Sequence, residues 1–396
     1  MDQTTAQALF ELGACLVILD TPTGIEFGID LDTWETGPLF KGLKMIPPGI
    51  HYIHYSALNG EKQPGMRSGF FHNFSPREAT SYLSQCVLLM VVAKRWCQET
   101  EDLVAVNEED TERIRQNIRD LDKGLGAYQT GENNQTYTQW QQLTCKITPK
   151  LLHEVLPPHG CFSSATGSAY EDEEMAAVLK KLKQQAPAMA EQGVSAAELQ
   201  SIIDAEPTAD CASTDRFNFT PINIRHSFPP HATPDELRRF SKDKSWLLRS
   251  ILQSRTCEDI LGEFQLAFLV ILVGQNFCGI EHWKRILHLV LGSAEVLGDA
   301  RVVETVVVPV LRCFMSQLRV CPHEFVASVL EQDNFVAEIL QEFVLNVYES
   351  GGGLDPEIAR LRAVLKMFDW VLPEGQQLQT KADEEEGEYA PQVVDL

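Results

Sequence analysis

The sequence predicts an α+β protein: a β-rich N-terminal domain followed by an all-α helical-bundle C-terminal domain. Two contrasts carry this reading. Before about residue 155, short apolar runs are broken by Pro and Gly turn signals. From Thr233 onward, apolar residues recur at helical spacing between short polar loops. The expected boundaries are a β-rich domain with appended helices at 1–155, a partly disordered linker at 156–215, a helical domain at 216–372 and an acidic disordered tail at 373–396.

Val17–Leu19, Glu26–Ile29 and Ile50–Tyr55 read as strands, separated by Thr-Pro, Thr-Gly and Pro-Pro-Gly turns. Both faces of Ile50–Tyr55 mix apolar and polar residues without an exposed charge, so this strand is expected to be covered. Pro47-Pro48-Gly49 is the turn that sets its entry. Further turns are expected at Asn59-Gly60 and Pro64-Gly65. Val87–Ala93 is a continuous apolar run, the pattern of a central strand covered on both faces, with Lys94, Arg95 and Trp96 ending it. Asn107 is placed to cap a helix reaching Leu125, with Ile114, Ile118, Leu121 and Leu125 on one face. A shorter helix is expected over Tyr137–Cys145, and Arg216–Ile224 alternates like a strand pairing back onto the first domain.

In the second half, helices are predicted near 234–253, 257–273, 278–292, 297–318, 322–331, 335–349 and 355–370. Thr233-Pro234-Asp235-Glu236 has the pattern of a capped start. The apolar run Leu266–Val273 is far shorter than the roughly 20 residues a membrane span needs. A buried bundle helix follows, and no membrane partner.

The chain has 396 residues, and its formal net charge of −23 repels a phosphate backbone. No direct sequence-specific nucleic-acid contact is expected; a basic protein surface is the better electrostatic match. Ten cysteines (15, 86, 97, 145, 161, 211, 257, 278, 313 and 321) form no C-x-x-C pair, and Asp2 and Glu11 interrupt the start. Reduced thiols in a cytoplasmic and nuclear protein are the expectation.

Candidate chemistry is sparse. Asp30-x-Asp32-x-Trp34-Glu35 begins like a calcium loop but lacks its glycine and its closing glutamate. His51 and His54 fall on opposite faces of a strand, so they do not share a zinc ion. No nucleophile elbow or phosphate loop is present, and Ser68 has no base nearby in sequence. The expectation is no catalytic residue, no metal and no cofactor. Arg238, Arg239, Lys242, Lys244, Arg249 and Arg255 form one basic cluster, balanced by Asp235, Glu236 and Asp243. Ser163, Ser164 and Ser168 beside an acidic run suggest phosphorylation.

Two composite blocks add a family. EFGID, WETGPLFKGLKMIPPGIHYIHYS (Trp34–Ser56) and MRSGFF (Met66–Phe71) form the first. LGEFQLAFLVILVGQNFCGIEHWKRILHLVL (Leu261–Leu291) and EQDNF (Glu331–Phe335) form the second. In order and spacing they resemble the Aar-two family of splicing factors from about residue 10 to about residue 370. The resemblance implies a non-enzymatic pre-mRNA splicing factor and assembly chaperone. It would bind the RNase H-like and JAB/MPN-like domains of Prp-eight, alongside other U5 snRNP proteins, and exclude the Brr-two helicase until the particle matures. The acidic tail is a further candidate contact. Exposed-capable aromatic and basic residues within or beside the blocks are the expected partner contacts: Trp34, Lys41, Lys44, His51, Tyr55, Arg238, Arg239 and Lys284. A general protein-interaction scaffold and an enzyme with an unfamiliar site are the competing readings.

Overall fold

A computed structural model describes residues 13–58, 63–74, 90–131, 135–170, 175–176, 180, 215–323, 335–351 and 353–379. The chain divides into two compact units. The first comprises residues 1–220 together with Leu269–Cys278; the second comprises Pro221–Phe268 and residues 279–396.

The first unit is built on two five-stranded sheets. Its strands are β1 (Ala14–Leu19), β2 (Glu26–Ile29), β3 (Asp32–Glu35), β4 (Gly42–Ile46), β5 (Gly49–Ser56), β6 (Ser68–Phe74), β7 (Val91–Cys97), β8 (Asp102–Ala105), β9 (Leu125–Ala127) and β10 (Cys161–Ser163). One sheet runs β8-β7-β1-β4-β9 and is mixed, with β1–β7 and β4–β9 parallel. The other runs β10-β6-β5-β2-β3 and is antiparallel throughout. Their facing sides share one core, in which Leu16, Ile18 and Trp96 of the mixed sheet meet Phe27, Ile53, Tyr55, Phe70 and Phe74 of the other.

β1 starts three residues earlier than the turn signals suggest, because Ala14, Cys15 and Leu16 are apolar and continue the ladder to β4 and β7. Its alternate residues Cys15 and Val17 face the opposite side of the sheet. There they join Val91 and Leu125, packed against Ile114, Ile118 and Leu121. The four spaced apolar residues therefore share a face as expected, but not on one helix. Asn107 does cap helix α1 (Glu108–Gln116), accepting the Asp110 N–H at 2.7 Å. The helix then stops at Asn117, makes one more turn over Ile118–Leu121 and a 3-10 turn over Asp122–Gly124. Leu125 is extended because its backbone pairs with Gly42.

Gly42 has φ +124°, and a Cβ there would lie 2.0 Å from the Leu16 carbonyl oxygen, so the β1–β4 crossing requires glycine.

β7 corrects the expected ending of its apolar run. Lys94, Arg95 and Trp96 lie inside the strand and alternate: Lys94 sits over the Phe70 ring, Arg95 is exposed, and Trp96 is buried. The strand is next to an edge rather than central, but its apolar part is covered on both faces: Val91 packs with Cys15 and Val17 on one side, and Val92 and Trp96 against the shared core on the other. Residues 87–89 of the run, the Asn59-Gly60 turn, the linker core at 181–214 and the tail beyond 379 lie outside the described residues. Within the expected linker, Cys161–Ser163 is paired with β6 as an edge strand. Arg216–Ile224 is not a strand: Phe217 makes one isolated bridge with Ser168 and buries its ring against Phe162 and Phe219. Among the described residues the unit also has α2 (Gln135–Thr144) and α3 (Pro149–Val155), the latter unforeseen and capped by Thr148.

The second unit is helical. α4 (Pro234–Lys242) opens with the anticipated capping box between Thr233 and Glu236. The expected 234–253 helix is broken at Asp243, whose carboxylate accepts from Ser245 N–H at 2.9 Å and Ala294 N–H at 3.0 Å. α5 (Ser245–Ile251), α6 (Cys257–Leu272) and α7 (Phe277–Leu291) follow. Where one helix was expected over 297–318, a 3-10 turn (Glu295–Gly298) precedes Ala300–Val302, a π turn at Val303–Val307 and α8 (Val308–Val320). Pro309 explains the π turn: it has no N–H to give the Thr305 carbonyl, and its ring crowds that carbonyl. α9 (Phe335–Glu349) and α10 (Asp355–Leu365) complete the helices described; nearly all of the predicted 322–331 helix lies outside the described residues. Among the described residues no helix is long and apolar enough to cross a membrane.

The core of this unit is centred on Trp283. Its ring stacks on Phe264 at 5.8 Å, and its indole N–H donates to Gln317 Oε1 at 2.8 Å. Gln317 in turn donates to the Phe264 carbonyl at 3.4 Å. Beside it, buried Glu263 meets His282 Nε2 at 2.9 Å, so the EHWKR motif contributes to the interior as well as the surface.

Candidate interaction surface

The chain from β2 to β5 builds a rigid, partly apolar loop. Thr36 is buried at its base, where its hydroxyl accepts the Ile25 N–H at 3.0 Å and donates to the Pro22 carbonyl at 3.0 Å. Phe40 closes a turn back to Gly37 and packs on Phe27 with ring centroids 5.0 Å apart. Lys41 N–H donates to Gly124 O, and Ile18 N–H donates to Lys41 O, both at 2.8 Å. Between these anchors, Gly37, Pro38 and Leu39 project outward, and Leu39 is 73% exposed. A pinned loop with an apolar tip costs little ordering entropy on binding. Trp34, on the edge strand β3, is half-buried and meets Phe27 edge-on at 6.0 Å. Lys41, two residues after Leu39, is half-buried.

β5 is the central strand of its sheet, and this overturns two of the expected contact residues. His51 is 0% exposed, between Asp30 Oδ2 at 2.6 Å from Nδ1 and the Pro47 carbonyl at 3.0 Å from Nε2. Because the Pro47 carbonyl can only accept, Nε2 carries a hydrogen. Asp30, in a positive-φ turn, also accepts the Tyr52 N–H at 3.0 Å and the Tyr128 hydroxyl at 2.7 Å. Burial, and then Asp30, push the Tyr128 phenol above its usual range. α2 covers the Pro-Pro-Gly turn: the Tyr137 hydroxyl donates to Pro48 O at 3.1 Å and Trp140 Nε1 to Ile50 O at 2.7 Å. Tyr55 is buried as well, edge-on to Trp96, with its hydroxyl on the Asp102 carboxylate of β8. His51 and Tyr55 lie in the core, out of a partner's reach.

The remaining expected contacts are at the surface to different degrees. Lys44 is tied to Asp122 at 2.7 Å. Arg238 is 83% exposed in its side chain, with a loose 3.8 Å pairing to Asp235. Arg239 pairs with Glu295, and Lys284 with Glu281 at 3.6 Å. The basic cluster does not form one patch. Lys244 is buried, its ammonium donating to Ser227 Oγ and the Phe240 and Ser241 carbonyls. Arg249 shares Glu295 with Arg239, and Arg255 faces Glu263. The Leu39 tip, and Phe277 at the start of α7 (82% exposed), are surface apolar residues that the sequence reading missed. Their signal was present: each is a large apolar residue next to turn-forming ones inside a quoted block. Among the described residues no three His, Cys, Asp or Glu side chains gather as metal ligands.

The far face of the antiparallel sheet is aromatic and titratable. Rings of Tyr52 and His54 stack there at 5.7 Å, with Phe71 and Phe162 against Tyr52. Burial, then the charge of Arg67, lowers the His54 imidazole to about 3. In the unfolded chain it titrates near 6.5, so below that pH the unfolded state binds the extra proton. Stability is therefore expected to fall as pH drops from 6.5 towards 3, by up to about 1.4 kcal/mol per pH unit from this group. Urea midpoints across that range test it: the slope should be shallower in a His54→Gln variant, and an unchanged slope refutes the assignment.

Both halves match a known family. The AAR2 N-terminal domain description matches residues 12–157, and the AAR2 C-terminal repeat region description matches residues 219–373. The chain belongs to the AAR2 family. The mouse protein AAR2 homolog is 34% identical over 355 residues, covering 87% of this chain and 85% of its own. The human homolog is 33% identical over 351 residues with the same coverage, and the Caenorhabditis elegans homolog 29% over 378 residues, covering 91% and 95%. AAR2 membership makes this chain a splicing-related factor, linked in general to U5 snRNP assembly. The loop from Trp34 to Lys41 lies inside the matched N-terminal AAR2 domain, and Arg238, Arg239 and Lys284 inside the matched AAR2 C-terminal region.

Proposed function

We propose that this chain is a non-enzymatic assembly chaperone of the U5 snRNP, acting in the cytoplasm and nucleus. It binds Prp-eight through its RNase H-like and JAB/MPN-like domains and excludes the Brr-two helicase until the particle matures. The observation that carries this reading is membership of the AAR2 family across both domains. The exposed Leu39 tip on its pinned loop and the half-buried Trp34 support protein binding, since a preorganised tip costs little ordering entropy and Trp is enriched among interface anchors. Exclusion needs no chemistry: occupancy of a shared surface displaces a rival in proportion to concentration over Kd.

Size-exclusion co-elution with the two recombinant Prp-eight domains, with and without the helicase, tests the proposal. Co-elution that the helicase competes away is the expected outcome; failure to bind either domain overturns it. Leu39→Glu should weaken the complex by about 2 kcal/mol, roughly thirtyfold, without changing the melting temperature. An unaltered affinity removes the loop from the interface.

A further inference from the structure

We propose that the outward face of α8 and α10 docks the chain's own acidic run at 383–388, and so withholds those carboxylates from a basic partner. The run lies outside the described residues. The docking is independent of the U5 reading above.

α8 carries Arg312 and Arg319 and no acidic residue, in a chain of net charge −23. α10 and the turn after it add Arg360, Arg362 and Lys366, against Asp355 and Glu357. The two helices pack side by side and run in the same direction. Arg312 meets Glu357 near their starts, and the His323 and Phe368 rings meet at 5.4 Å just past their ends. Cations outnumber their acceptors on this face. Arg312 and Arg360 converge on one oxygen of Glu357, at 2.6 and 2.8 Å. Arg362 donates to the Leu372 and Pro373 carbonyls, which carry no charge. Arg319 and Lys366 are exposed and make no ion pair among the described residues. Asp369 and Glu374 follow in sequence, and neither pairs with any of the five cations among the described residues.

Charge and reach select the occupant. The run holds five carboxylates, Asp383, Glu384, Glu385, Glu386 and Glu388. The chain leading to it is pinned beside α10: Arg362 holds Pro373, and the Glu374 carbonyl accepts from Gln377 N–H at 3.0 Å and Leu378 N–H at 3.1 Å. Gly375 lies so close to the Tyr348 side chain that no Cβ fits between them. Asp383 follows Leu378 by five residues. Extended, those residues span roughly 16 Å, enough to cross a helix about 10 Å wide. A tethered segment meets its site at an effective concentration in the millimolar range, so weak ionic contacts suffice. The tether also favours this run over the same run of a second copy.

Zero-length carbodiimide cross-linking of the full chain, read by peptide mass spectrometry, tests the docking. In a dilute mixture of isotope-labelled and unlabelled chains, Lys366 should link to carboxylates of 383–388 within one chain. Arg319→Glu should lower that yield by about threefold at an unchanged melting temperature, the scale of one surface ionic contact. Salt at about 1 M should lower it too, because the Debye length falls to about 3 Å. Lys123→Glu, an exposed charge reversal of equal size in the first unit, should leave the yield unaltered. Absence of the Lys366 link overturns the proposal, as do links formed only between two chains or equal losses from the two reversals.

Discussion

Replacing Asp30 by alanine is expected to destabilise the N-terminal unit by about 3–5 kcal/mol, the usual cost of removing one partner from a buried polar pair. Asp30 is 1% exposed and receives three groups at once: the His51 ring, the Tyr128 hydroxyl and the Tyr52 N–H. Truncation leaves all three buried without an acceptor. Asp30→Asn should cost less, because the amide oxygen still accepts one donor. A double-mutant cycle with His51→Ala isolates the pair, and urea midpoints read it. Additive single and double losses would show that the network is not coupled.

Trp283→Ala should cost about 3–5 kcal/mol in the C-terminal unit. The indole is 1% exposed, lies between Phe264 and Phe314, and satisfies Gln317. Trp283→Phe keeps most of the volume but leaves the Gln317 oxygen without its donor, so an intermediate loss is expected. Thermal unfolding of both variants checks the order; a Phe variant as unstable as Ala would mean that the hydrogen bond, not packing, dominates.

Local signals account for much of what could be read from the chain. Glu26–Ile29 and the β5 strand were legible because Gly and Pro turns bracket them. Thr233, Pro234 and Glu236 announced a helix start by chemistry confined to four residues. Failures came where distant backbone decided the outcome. Leu125 has helical spacing but is recruited by Gly42. Arg95 looks like a strand terminator, yet its backbone pairs with Val104 of β8, and its side chain is exposed beyond the covered Val91 and Ala93 of the same face. His51 and Tyr55 seemed available to a partner because their burial depends on β5 being central, a property of sheet order rather than of their neighbours. The Asp30–His51 pair rests on the β2–β5 register, in which Ile29 lies opposite Ile53. Pro309 was a visible cue to the π turn, but an apolar helical pattern on both sides of it masked the break.

The first unit includes Leu269–Cys278, and this gives the order of synthesis a role in folding. Arg67 reaches the Val273 carbonyl, and the Asn276 amide donates to the Ser163 and Thr166 carbonyls. A nascent chain that has emerged only to residue 220 therefore lacks the Val273 acceptor of Arg67, which keeps only Glu26, and lacks the amide that donates to Thr166. The ribosome must first deliver Pro221–Phe268, which takes roughly 2–10 s at ~5–20 residues per second. During that interval the Ser163 and Thr166 carbonyls lack the Asn276 amide that they accept from in the folded unit.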